Sequence, residues 1–120
     1  MNGGIRTYQE NAVATQTRGR LVVLLYDGAI KFLEQAKSEL AEGHFAEKGT
    51  FINKALAIIN ELDACLDLEK GGEIASNLRR LYQFMIRHLG EANTRRDPQR
   101  IQDVIDCLKD LNEGWKAITD

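Results

Sequence analysis

Apolar residues recur at three- and four-residue spacing through four stretches of this chain, and the stretches are separated by breaks at Gly43-His44, Gly71-Gly72 and Asp97-Pro98. The first stretch runs from about Arg18 to about Glu42, with Val22, Leu25/Tyr26, Ala29, Leu33, Ala36 and Leu40 as its stripe and Thr17 as its N-cap. The second runs from about Phe45 to about Leu68. The third runs from about Glu73 to about Thr94, along Ile74, Leu78, Leu81/Tyr82, Met85, Leu89 and Ala92. The fourth opens where Asp97 caps and Pro98 takes the first helical position, where a missing N–H costs nothing. Ile101, Val104/Ile105, Leu108, Leu111, Trp115 and Ile118 follow at helical spacing. Short connections between four helices predict an all-α, antiparallel four-helix bundle over residues 17–120. Residues 1–16 have weak periodicity and are expected to form an N-terminal arm, either mobile or a short cap helix.

One stretch resists the simplest reading. LVVLLYDGAIKFL, at Leu21–Leu33, places Asp27 and Gly28 between two apolar runs, which is the usual mark of a hairpin turn. A hairpin needs alternation on both sides, and the residues from Lys31 to Ala36 do not alternate, so the segment is helical. A glycine inside a helix costs about 1 kcal/mol relative to alanine. Tight packing beside a solvated aspartate offsets that cost, or else the helix wall is kept low here for a visiting chain.

The apolar faces are wider than a bundle needs. In the second helix Phe51, Ala55, Ile58, Leu62 and Cys65 make one stripe, and Ile52, Leu56, Ile59 and Leu66 a second beside it. A core-facing helix needs an apolar arc of roughly 100°, and this one is wider. The first helix adds Leu21, Leu24 and Phe32, and the third adds Phe84 and Ile86. The surplus is expected to lie under the arm, in a homodimer, or in a groove for another protein's helix.

Composition narrows the function. The chain has 120 residues, suited to one domain, and its net charge of −2 disfavours nucleic acid as a partner. A basic cluster of Arg79, Arg80, Arg87, His88, Arg95, Arg96 and Arg100 lacks interleaved aromatics and reads as a solvated face. Cys65 and Cys107 stand far apart, make no CxxC pair, and are expected as small core residues in a reducing compartment. The polar N-terminus has no apolar leader core, and Leu21–Leu25 is too short to span a bilayer, so a cytoplasmic protein without membrane insertion is expected. Bundles hold paired metals through Glu-x-x-His, yet Ala41 and Met85 stand three residues before His44 and His88. No haem attachment, phosphate loop or nucleophile elbow occurs. No enzyme, metal or cofactor is expected, and the residues favour a binding module for amphipathic segments.

The segment LVVLLYDGAIKFLEQA resembles the first helix of the flagellin export chaperones, the FliS family, in which an aliphatic run ends in Leu-Tyr-Asp-Gly. IRTYQEN in the arm, KALAIINEL, LDLEKGGEIASNLRRLYQFM, LGEANTRRD and the late Trp115 are similar in the same order, so the likeness spans nearly the whole chain. Thr17-Arg18-Gly19-Arg20 departs from the family's Ser-Pro-Glu. The resemblance implies a cytoplasmic chaperone that binds the disordered C-terminal segment of flagellin, prevents premature polymerisation and delivers the subunit to the type III export gate. The client groove is then expected at Tyr26, Gly28, Ile52, Ile59, Leu66, Leu81 and Tyr82, and the gate contact at Ile5 and Tyr8. A monomer or weak homodimer is expected. The rival readings are a structural helical homo-oligomer and a general helix-binding adaptor with no role in export.

Overall fold

The computed structural model describes the backbone of residues 3–119 and the side chains of residues 19–119. Four helices account for it, with no strand among the described residues: α1 (Gly3–Ala41), α2 (Phe45–Ala64), α3 (Leu68–Arg95) and α4 (Pro98–Thr119). α1 packs against α2 and α4, and α3 packs against the same two, so α1 and α3 sit on one diagonal of the bundle. This is the expected all-α four-helix architecture.

Each connection has a local cause. Gly43 takes φ +78°, a left-handed conformation that glycine adopts without steric cost, and ends α1. Asp67 accepts a hydrogen bond from the Lys70 amide at 3.0 Å and starts α3. Asp97 accepts from the Gln99 amide at 3.0 Å and starts α4 beside Pro98, as the spacing predicts.

Two boundaries differ from the sequence reading. The α1 backbone is helical from Gly3 and passes through Thr17 without a cap, since the polar stretch before Arg18 contains nothing that breaks a helix until Gly3-Gly4. The break between α2 and α3 falls at 65–67, ahead of the Gly pair. Capping by Asp67 adds one helical turn, and the expected break survives as a kink at Gly72, with φ 54° and ψ −130°.

The core is one continuous cluster. Tyr26, Ala29, Leu33 and Ala36 from α1 meet Ile52, Ala55 and Ile59 from α2, Met85, Leu89 and Ala92 from α3, and Ile101, Val104, Ile105 and Leu108 from α4, all fully buried. The α1 stripe is the one its spacing predicts. In α2 both stripes contribute to the core, Ala55 and Leu62 from the first and Ile52 and Ile59 from the second. Ile52 and Ile59, expected as surplus, are at 0% exposure, while Phe51 and Ile58 are only partly buried. The buried arc of α2 is centred between the two apparent stripes, on Lys48, Ile52, Ala55, Ile59 and Leu62. An apolar arc wider than the core leaves its edges, and not its middle, over for other uses. Cys107 is half-buried as expected of a core thiol, but Cys65 is the exposed C-cap of α2.

Candidate functional site

Polar pairs line the seam between α1 and α4. Asn112, 3% exposed, donates to Asp27 Oδ1 at 2.8 Å, and Lys116 Nζ stands 3.6 Å from the same oxygen. Glu34 pairs with Lys109 at 3.6 Å, and Lys37 donates to Gln102 Oε1. Asp27 therefore tolerates its apolar neighbourhood by facing α4, where a buried amide and a lysine receive its charge. Next to it, Gly28 faces α2. A Cβ at Gly28 would lie 3.4 Å from Ile58 Cδ1, ordinary contact with the end of a flexible side chain.

Inside this seam, Tyr26 and Tyr82 share a hydrogen bond of 2.5 Å between their hydroxyls across the diagonal of the bundle. The Trp115 ring lies 6.3 Å from that of Tyr26. Burial pushes both phenols above their usual range, and for Tyr82 the hydrogen bond to Tyr26 adds to the effect. At the opposite end Lys48, 4% exposed, donates to the Asn93 carbonyl at 3.0 Å and to its side-chain oxygen, closing the C-terminus of α3. Burial lowers the Lys48 ammonium below the usual lysine range, and the nearby Arg96 charge lowers it further. Arg96, at φ 53°, stacks over Phe45 with 3.7 Å to the ring centroid.

Among the described residues, five of the eight large apolar residues left in solvent share one end of the molecule, while Phe45 lies at the other end and Leu81 and Phe84 lie along α3. Leu21 and Leu24 of α1, Leu68 and Ile74 of α3 and Ile118 of α4 gather at the end of the bundle that holds the α2–α3 connection. Ile74 is 73% and Ile118 74% exposed, more than isolated surface residues require. The His88–Asp103 contact at 2.9 Å and the Glu91–Arg100 contact at 2.7 Å fix the antiparallel register of α3 on α4. Carried down the pair, that register brings Leu81, 36% exposed, level with the half-buried Leu111, and Ile74 level with Ile118. The α3–α4 seam thus carries an apolar strip that opens onto the exposed end.

Against the residues expected from sequence, the structure divides the set. Tyr26, Ile52, Ile59 and Tyr82 are core residues with no surface to offer a client. Gly28 is half-buried on the α1 face toward α2, Leu66 is half-buried in the α2–α3 connection, and Leu81 lies on the α3–α4 strip. The side chains of Ile5 and Tyr8 lie outside the described residues. Sequence reading missed Ile74 and Ile118, which it placed in core stripes. Their periodicity is correct, but they stand beyond the last layer in which all four helices meet, and only the ends of the neighbouring helices reveal that. It also missed Asn112, whose polar side chain in the α4 stripe, in register with Asp27, is the available signal.

Nothing in this arrangement sets up bond-making chemistry. Glu39, Glu42 and His44 bring ligand atoms within 4.8 Å at the exposed Gly43 turn, but His44 Nδ1 already pairs with Glu39 at 2.7 Å, and exposed acidic groups of this kind do not by themselves define a metal site. Among the described residues no helix is long and apolar enough to cross a membrane.

Comparison with known proteins agrees with a binding role. The family model described as flagellar protein FliS matches residues 1–120. The chain is 44% identical to the flagellar secretion chaperone FliS of Salmonella typhimurium, across 97% of this chain and 90% of that protein. It is 37% identical to the flagellar secretion chaperone FliS of Vibrio cholerae, across 98% and 90% of the two. It is 38% identical to the flagellar secretion chaperone FliSB of Pseudomonas aeruginosa, across 96% and 94%.

Proposed function

The chain belongs to the FliS family of flagellar secretion chaperones, which are not enzymes, and on that premise we propose that it binds the disordered C-terminal segment of flagellin. The observation that carries this reading is the apolar strip of Leu81, Leu111, Ile74 and Ile118, with Leu21 and Leu24 of α1 also exposed at the same end of the bundle. A segment that is unfolded alone becomes helical as its apolar side meets such a strip, and the ordering entropy it loses offsets much of the contact energy. A client that must later be released needs that moderation. Of the residues expected from sequence, Leu81 lies in the strip, Gly28 faces α2 outside it, Leu66 sits in the α2–α3 connection, and Tyr26, Ile52, Ile59 and Tyr82 support the bundle from within the core.

Covering the C-terminal segment withholds it from other subunits and so prevents premature polymerisation in the cytoplasm. The loaded chaperone then delivers its client to the type III export gate, with Ile5 and Tyr8 of the arm as the gate contact. Size-exclusion chromatography with intact flagellin and with flagellin lacking its C-terminal segment tests the reading. Only the intact protein should co-elute with the chain. Co-elution of the truncated protein would place the client site elsewhere on flagellin.

A further inference from the structure

A second surface lies on α3, turned away from the core. Arg80, Phe84, Arg87, Glu91 and Arg95 follow at spacings of four, three, four and four residues, so they form one column on the helix, and all are exposed. Arg80, Arg87 and Arg95 have no carboxylate within ion-pair distance among the described residues, whereas Arg79 and Arg100 of the same basic cluster are paired with Asp63 and Glu91. Glu91 is the one acidic residue between Arg80 and Arg95, and its carboxylate is held 2.7 Å from Arg100. The column is therefore a line of uncompensated positive charge on a chain whose net charge is −2.

Gly90 sits within this column's reach. A Cβ added there would meet nothing within 4 Å among the described residues, so no packing among them requires a glycine at that point. A helix-interior glycine lowers helix stability relative to alanine, and bare backbone serves where another chain approaches closely. Around it, Arg87, Gly90, Glu91, Thr94 and Arg95 line a shallow depression of about 550 Å³.

We propose that the outer face of α3 from Arg80 to Arg95 docks an acidic amphipathic helix of a partner protein. Its carboxylates meet Arg80, Arg87 and Arg95, an apolar residue covers Phe84, and a small residue closes on Gly90. The column is about 22 Å long at 1.5 Å per residue, which matches about four turns of a partner helix. A single exposed ring, Phe84 at 39%, is too little apolar surface to seat the face in a lipid interface, which takes an apolar helix face. Single-stranded nucleic acid stacks successive bases on several aromatics, and this column has one. The column borders the α3–α4 strip, since Phe84 stacks on His88 at 4.8 Å and Glu91 pairs with Arg100, but Arg80, Arg87 and Arg95 are no part of that strip and the proposal does not depend on the flagellin reading.

The test uses the full chain and a four-turn amidated peptide with glutamates on one face and leucine and alanine on the next. Binding is followed by calorimetry at low and at high salt. The peptide should bind, and affinity should fall as salt rises. The Arg87→Glu/Arg95→Glu variant should keep its helical circular dichroism and bind roughly tenfold more weakly. Gly90→Leu, which has open space to occupy, should keep its stability and also bind more weakly. Binding that is absent at low salt, or unchanged in the charge-reversed variant, overturns the proposal. So does binding of phosphatidylcholine–phosphatidylglycerol vesicles or of oligothymidylate, lost in that variant, by a chain that ignores the peptide.

Discussion

Asn112 on α4 donates its amide to Asp27 on α1 at 2.8 Å, joining a residue that is 3% exposed to one whose side chain is 47% exposed. The pair is asymmetric, and so are the consequences of breaking it. Asp27→Ala strands a buried N–H, which costs about 1–3 kcal/mol. Asn112→Leu returns the Asp27 carboxylate to water and removes a buried oxygen that has no partner among the described residues, so it should cost less. Urea denaturation of the two variants checks the order. A larger loss for Asn112→Leu would mean that packing of the amide outweighs the bond.

The Tyr26–Tyr82 pair should make the fold sensitive to alkali. Both phenols are held above their usual range by burial, while in the unfolded chain they ionise near about pH 10. The folded chain then binds more protons than the unfolded one above that pH, so this contribution is complete below about pH 10 and is lost as pH rises further. Phenolate absorbance from these two residues should appear together with loss of helical signal. Tyr82→Phe should reduce the alkaline loss, leaving one buried phenol in place of two.

Ile59 and Leu81 should respond differently to the same charge. Ile59 is at 0% exposure with apolar neighbours, so Ile59→Asp should cost at least about 4 kcal/mol and abolish cooperative folding. Leu81 is 36% exposed, so Leu81→Asp should cost no more than about 1 kcal/mol. Thermal melts followed by circular dichroism separate the two. Similar melting temperatures would contradict the core assignment of Ile59.

Gly28→Ala should stabilise the chain by up to about 1 kcal/mol, since the new Cβ gains helix propensity and meets only Ile58 Cδ1 at 3.4 Å. A fall in melting temperature would show that Ile58 cannot yield at this site.

Much of this molecule is legible in its sequence, and the exceptions have physical causes. The Asp97-Pro98 start and the Gly43 turn are local signals, set by a few residues, and they stand where the spacing puts them. The centre of the α2 core arc is not local. With apolar residues at 51, 52, 55, 56, 58, 59, 62 and 66, periodicity supports either stripe, and only the positions of α1 and α3 centre the buried arc between them, on Ile52, Ala55, Ile59 and Leu62. Ile74 and Ile118 fail as core residues for the same reason at the end of the bundle. Asp27 raised the right question in isolation, but its answer lies 85 residues away at Asn112.

The central claim is that a flagellin C-terminal segment folds onto the α3–α4 strip and the exposed end beside it. Calorimetric titration of that segment into the native chain and into the Leu81→Asp/Ile118→Asp variant tests it most directly. The native chain should bind with a negative heat-capacity change and a gain in helical circular dichroism. The variant should stay folded and bind at least about tenfold more weakly, because burying either carboxylate costs more than the 1.4 kcal/mol that a tenfold change represents. A folded variant that binds the segment as tightly as the native chain would contradict the account.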